Sequence, residues 1–367
     1  MSRSFRRVTS YVLIVLAAFF VSTLFLSTQR GVHALQRIVA TLPFAENDTE
    51  VVMRLTATDP CPADIAKDLD CWDGYYGKLL DRYGSYVALL DLKSRYEGGG
   101  YPRLFCHTIL HEIGETAGRE YSSVAEAYTY GDPFCRSGYY HGVLEGVFGE
   151  EGGEKLLSKL DSLCEDVEGK DRYSYDYFAC VHGVGHGLMA YFYHDLFKSL
   201  ASCDRLTGEW EQSSCYGGVF MENVISNTPE EPSKFLKQDD PLYPCNAVED
   251  KYRAQCYLMQ TSHMLDIYDG DFARVFDTCS SVEEKYRIPC YQSVGRDASG
   301  WSYGSVDDVL GYCGEGNAEQ AAQCLAGAAA DFIQAQGADD ARALCEKGDS
   351  YARKVCTDSL ESQLKSL

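Results

Sequence analysis

The most apolar stretch of the chain runs from Tyr11 to Leu26, and Arg3, Arg6 and Arg7 precede it. A membrane-spanning helix needs about 20 residues, which the stretch reaches with Val8 and its flanking Ser and Thr. Positive residues stay on the cytoplasmic side, so the pattern predicts a cytoplasmic tail over 1–10, a signal anchor over 11–30 and an extracytoplasmic remainder. Residues 31–60 read as a juxtamembrane linker. A cleaved signal peptide shares this charge and apolar layout, but no small-x-small site follows the run, which favours an uncleaved anchor.

Beyond the linker the pattern changes from a continuous apolar run to helical stretches punctuated by cysteine and glycine. Asn317–Cys324, Ala328–Gln336 and Asp339–Cys345 read as helices of paired hairpins. The sixteen cysteines fall between Cys61 and Cys356, none of them on the cytoplasmic side of the predicted anchor. An even number confined to the exported part predicts disulfides, and no Cys-x-x-Cys is present to suggest a zinc ribbon.

Their spacing is periodic. In the pairs Cys245/Cys256, Cys279/Cys290, Cys313/Cys324 and Cys345/Cys356 the second cysteine follows the first by eleven positions. Second cysteines recur after 34, 34 and 32 residues from Cys256 to Cys356. The text Asn246–Arg253 is echoed by Ser280–Arg287, and Tyr216, Tyr257 and Tyr291 each follow a second cysteine directly. Glycines three places after a second cysteine, such as Gly218 and Gly327, let neighbouring helices approach closely. A period of this size predicts an all-α fold, a disulfide-stapled α-solenoid of αα-hairpins with one bridge per hairpin. Each bridge would close a loop of about a dozen residues and contribute roughly 3 kcal/mol by restricting the unfolded chain. Two parts are expected: histidine-rich repeats over 61–200, and disulfide-bonded hairpins over 201–367.

In length and layout, the repeats over roughly residues 200 to 360 resemble the helical hairpins of Sel1 and tetratricopeptide proteins. That resemblance implies stacked hairpins and a concave surface.

Composition narrows the partners. A formal net charge of −22 repels phosphate backbones, so nucleic acid is excluded as a partner. The acidic solenoid surface can instead take a protein or peptide partner, and the anchor supplies the membrane contact. No Gly-x-Ser-x-Gly elbow, phosphate loop or dinucleotide fingerprint is present.

Five of the eight histidines lie in three short motifs: Cys106–Glu115 with His107 and His111, Tyr140–Glu145 with His141, and Cys180–Gly187 with His182 and His186. Positions four apart share a helix face, so His107 pairs with His111, His141 with Glu145, and His182 with His186. His141 and His186 each stand six places after a second cysteine, which sets them at equivalent positions on neighbouring helices. Met221 and Glu222 stand six and seven places after Cys215.

These five histidines are the expected ligands of a divalent transition metal: zinc, copper or iron. Glu112, Glu145 and Glu222 are expected as further ligands or general bases. His194 is a candidate for an outer position, and His33 has no assigned role. A hydrogen-bonded histidine cluster without metal is the structural alternative. The zincin pattern His-Glu-x-x-His is absent, because His111-Glu112 leads to Glu115. His111-Glu112 is similar to the His-Glu pairs by which deoxyhypusine hydroxylase, a helical-repeat protein, holds iron; this implies that a helical stack can carry a metal. The expected function is therefore an extracytoplasmic metal-dependent enzyme, either a hydrolase or an oxygen-activating one. The alternative is a binding module that recruits a partner near the membrane.

Overall fold

The computed structural model describes residues 48–61, 69–96, 98–131, 134–135, 137–150, 156–225, 233–302, 304–335 and 337–364. The predicted tail, the predicted anchor and the linker up to residue 47 lie outside them. Among the described residues all regular structure is helical, and no helix is long and apolar enough to cross a membrane.

The longer helices follow one another in space as they do in sequence. They are α1 (Leu69–Tyr96), α2 (Cys106–Glu120), α3 (Gly138–Glu150), α4 (Tyr175–Tyr191), α5 (Glu209–Ile225), α6 (Asp250–Tyr257), α7 (Thr261–Ile267), α8 (Glu284–Trp301), α9 (Ala318–Ala335) and α10 (Ser350–Leu364). From α1 to α6 each packs on the next; α6 and α7 then both pack on α8, followed by α9 and α10. One hydrophobic core runs the length of this row, from Trp72 in α1 to Leu360 in α10. A smaller cluster of Val51, Val52 and Val87 holds the helix Asp48–Thr56 against α1.

Shorter helices precede several of these and share one construction. In Phe272–Ser280, Phe272, Val275, Phe276 and Cys279 are buried, which is the i, i+3, i+4, i+7 stripe of an amphipathic helix. Its N-cap Asp271 accepts a hydrogen bond from the Arg274 backbone. Asp195 caps Leu196–Cys203 in the same way, and Ser305 caps Val306–Cys313. In Leu196–Cys203, Phe272–Ser280, Val306–Cys313 and Ala338–Lys347 the first cysteine of a pair sits in the last turn, where a disulfide ties it to the following long helix.

All sixteen cysteines are bonded in adjacent order: 61–71, 106–135, 164–180, 203–215, 245–256, 279–290, 313–324 and 345–356. The bridged Cα atoms are 5.4 to 6.1 Å apart. The adjacent pairing expected from the spacing is the pairing observed.

One sequence expectation needs correction. Asn317–Cys324 and Ala328–Gln336 do not form two helices; the chain runs through Gly327 in the single helix α9. Gly327 is there for contact. A Cβ on it would collide with the Gln292 carbonyl of α8, and a Cβ on Gly295 of α8 would collide with the Cys324 carbonyl of α9. The same reciprocal arrangement joins Gly142 of α3 to the His111 carbonyl and Gly114 of α2 to the Tyr139 carbonyl. It recurs between Gly185 of α4 and the Cys215 carbonyl, and between Gly218 of α5 and the His182 carbonyl. Backbone-to-backbone approach of this kind draws α2 to α3 and α4 to α5, while Gly183 and Gly187 of α4 take the Leu144 and Phe148 side chains of α3, so the inward side chains of the four helices meet.

Candidate metal centre

Helices α2, α3, α4 and α5 project seven polar side chains into one place. His107 and His111 come from α2, His141 and Glu145 from α3, His182 and His186 from α4, and Glu222 from α5. His141 sits at the middle. Its ring centroid lies 5.5 Å from that of His107, 5.4 Å from His111, 5.3 Å from His182 and 4.2 Å from His186. His141, His182, His186 and Glu222 are buried, while His111 and Glu145 keep side-chain exposures of 16% and 18%.

Most of the rings are oriented from outside the cluster. His107 Nδ1 is 3.1 Å from the Cys135 carbonyl. A carbonyl only accepts, so Nδ1 carries the proton and Nε2 presents a lone pair. His111 Nδ1 lies 3.1 and 3.3 Å from the two Glu145 oxygens. His186 Nδ1 lies 2.8 Å from Glu222 Oε2, and His182 is hydrogen-bonded to the Ser214 backbone. Metal-binding histidines characteristically donate one ring nitrogen to a carboxylate or carbonyl, which fixes the tautomer and aims the other nitrogen at the ion.

The inward nitrogens have few partners. His107 Nε2 and His111 Nε2 face each other at 3.2 Å. With both Nδ1 atoms donating outward, these are two lone pairs in contact. An extra proton on His111 makes this contact a hydrogen bond donated to His107, and a shared cation would serve in the same place. Two nitrogens on one tetrahedral zinc at about 2.05 Å are roughly 3.3 Å apart, so the observed spacing suits a shared ion. His141 Nδ1 and His186 Nε2 are buried without any hydrogen-bond partner. Leaving such a group unsatisfied costs about 1–3 kcal/mol, which a ligand at the site would recover.

Three ligand trios converge on this space: His107, His111 and His141; His141, His182 and His186; His111, Glu145 and His186. The ligand atoms within each trio lie within 4.8 Å of one another.

Electrostatics keeps most of the cluster uncharged. Burial pushes His141 and His186 well below the ordinary imidazole value, and neighbouring imidazoles push further in the same direction. Burial lowers His182 to about 4 against a small opposing effect of the Ser214 backbone. His111 differs. Burial again pulls it down, but the charge and hydrogen bond of Glu145 outweigh that and raise it above the ordinary value. Burial, reinforced by Glu145, lifts Glu222 to about 8 against the pull of His111. The short His186–Glu222 contact has the geometry of an ion pair. With burial holding both groups neutral, it is better described as a neutral hydrogen bond. Neutral imidazole is the form that binds transition metals.

Of the ligands and bases named from sequence, the five histidines, Glu145 and Glu222 thus come together, and Glu112 does not. Glu112 is exposed and belongs to none of the trios, because one residue step on a helix turns about 100° away from His111. His194 stands beside the cluster, half exposed, with Nδ1 4.0 Å from Glu222 Oε1. His263 lies apart and is bonded through Nε2 to the Lys237 carbonyl at 3.1 Å. His33 lies outside the described residues.

Sequence reasoning missed the backbone partners of His107 and His182, since carbonyl positions leave no trace in side-chain identity. It also missed a polar row on the later helices, where Arg296, Asp297 and Asp331 occupy places six and seven after a second cysteine. The register that placed His141 and His186 could have found them. Comparisons with known sequence families, curated proteins and solved structures gave no significant match.

Proposed function

We propose that the protein is a membrane-anchored, extracytoplasmic metalloenzyme built on an α-solenoid of disulfide-stapled hairpins, with its active site at the histidine centre. The observation that carries this reading is the pair of buried imidazole nitrogens without a hydrogen-bond partner, His141 Nδ1 and His186 Nε2, where three ligand trios converge. A purely structural cluster would use its hydrogen-bonding capacity internally, as buried polar groups normally do. His107, His111, His141, His182 and His186 would hold one or two ions. A bound zinc ion supplies Lewis acidity, and iron or copper adds redox chemistry. Glu222 orients His186 from a buried position. Glu145 orients His111 and is partly exposed, so it is the better placed of the two to exchange a proton with a substrate. Membrane attachment rests on the charge and apolar pattern of residues 1–30, and the solenoid on the helix order and the cysteine period.

The full-length chain, purified in detergent without chelators, is expected to carry near-stoichiometric zinc, copper or iron by elemental analysis. His111→Ala and His186→Ala are expected to release most of it. A wild-type protein that neither contains nor takes up any of the three ions at neutral pH would overturn the metal reading.

A further inference from the structure

The metal centre is not a closed chamber. A groove of about 710 Å³ begins at His107, His141 and His182 and continues along α5, α7, α8 and α9 to Gln363 at the end of α10. That volume lies in the upper range for ligand sites, and the shape is elongated along the helix row. Its floor over α9 is made of small residues, Ala326, Gly327 and Ala330, with Trp301 at its wall.

The charge of the lining is one-sided. Three carboxylates, Asp266, Asp297 and Asp331, face the groove against one guanidinium, Arg296. Asp297 and Arg296 are already matched to each other at 2.8 Å. Asp297 also accepts from Thr261 at 2.6 Å and Ser262 at 2.7 Å. With three carboxylates against one guanidinium the lining is net acidic, in a chain of net charge −22. A second observation comes from the other end of the same groove. His141 lines it and is 3% exposed, and its Nδ1 has no hydrogen-bond partner. A ligand lying in the groove thus meets acidic positions along its length and a metal-ready imidazole at its end.

We infer that the groove binds an extended segment of polypeptide bearing Lys or Arg, laid along α7 to α9 so that one end reaches the histidine centre. This inference rests on the metalloenzyme reading for the purpose of the placement, and it names the substrate class of that site. Small residues on the floor leave room for a main chain, the carboxylates match cationic side chains, and the apolar wall accepts their methylene stems.

The test uses the full-length chain and three labelled oligopeptides of equal length: glycine alternating with arginine, with serine and with glutamate. Fluorescence anisotropy is expected to show binding of the arginine peptide, weakening as salt rises. Asp266→Asn combined with Asp331→Asn is expected to weaken binding by roughly tenfold or more, from the loss of two attractive charges. Because Asp331 is buried, Asp266→Asn alone is measured as well, with a smaller loss expected in the same direction. Metal content is measured on every sample, so a failure of the groove and a failure of the metal reading remain distinguishable. Equal affinity for the serine peptide, or unchanged affinity in both variants, would overturn the proposal. So would displacement of the arginine peptide by a neutral oligosaccharide that binds more tightly.

Discussion

Two regions of this molecule use the same repeat position for opposite ends. Six and seven places after a second cysteine, helices α3 and α4 carry His141 and His186, whereas α8 and α9 carry Arg296, Asp297 and Asp331. The helices at both sites are drawn together by reciprocal glycines, Gly114 with Gly142 and Gly295 with Gly327. In the later region the carboxylates are satisfied by their neighbours, and one buried nitrogen, His263 Nδ1, is left without a partner. Asp297 is held by Thr261, Ser262 and Arg296, while Asp331 accepts from Ser299 at 2.6 Å. In the earlier region the rings are oriented from outside, and two buried nitrogens are left bare. A buried polar cluster that closes on itself stabilises a fold. One whose buried nitrogens lack partners is a cluster that a bound ligand would complete.

That contrast predicts opposite responses to apolar replacement. Asp297→Ala removes the common acceptor of Thr261, Ser262 and Arg296 and strands a partly buried guanidinium. The expected loss is about 3 kcal/mol of stability, the scale for breaking a buried charge pair. His141→Leu, compared in the presence of chelator, removes a group that is already unsatisfied and replaces it with one suited to a dry interior. Its expected change is under about 1 kcal/mol in either direction. Chemical denaturation of both variants measures the difference. Equal destabilisation would mean that His141 is an ordinary structural residue and that the two regions do not differ in kind.

How much of this was legible beforehand follows from what the cues encode. The eleven-residue cysteine interval and the period of 32–34 residues report helical hairpins directly, because covalent geometry and repeat length constrain the fold. The i, i+4 spacing of His107 with His111 and of His182 with His186 reports a shared face. The convergence of the three faces was expected from the register of His141 and His186, and the structure brings them together. The close helix approach expected at Gly327 is its contact with Gln292 of α8, whereas the break expected between Asn317–Cys324 and Ala328–Gln336 is absent, because that packing carries a single helix through the glycine. Glu112 illustrates the opposite error: adjacency to His111 in sequence places it on another face of α2. Orientation of His107 by a backbone carbonyl, and the satisfied state of Asp297, depend on tertiary placement alone.

The difference in charge state between the regions sharpens the comparison further as pH changes. Metal binding at the histidine centre needs unprotonated imidazoles, so protons compete with the ion. His141, His182 and His186 are held low by burial and stay neutral through the mildly acid range. His111 is the exception, because Glu145 raises it above the ordinary value. Affinity for the ion is therefore expected to fall as pH drops through the raised value of His111, before the other ligands titrate. Stability without metal carries the other sign for this group. A base with a raised value contributes fully below the unfolded value, and that contribution is lost as pH rises through the folded one. The three lowered imidazoles oppose it, since the unfolded chain takes up their protons as pH falls below about 6.5. Calorimetric titrations with zinc across this range measure the first effect. Constant affinity down to the acid limit of the fold would remove His111 from the ligand set.

The smallest expected effects fall on residues that lie near the centre in sequence or space but outside its geometry. Glu112 is next to His111 in the chain and is exposed. His194 is half exposed, and its nearest approach to the cluster is 4.0 Å from Glu222. That distance exceeds a hydrogen bond, and an exposed imidazole interacting with a carboxylate across it is worth at most a few tenths of a kcal/mol. Glu112→Gln and His194→Ala should therefore leave metal content, its pH dependence and stability within about 0.5 kcal/mol of the wild type. Glu222→Gln makes the informative contrast. It keeps a hydrogen-bonding group of the same size against His186 and withdraws the carboxylate that would balance a cation on the ring, so it should weaken ion binding while the fold survives. If His194→Ala lowers metal content as far as Glu222→Gln does, the edge of the centre lies further out than the seven converging side chains, and His194 belongs among its ligands.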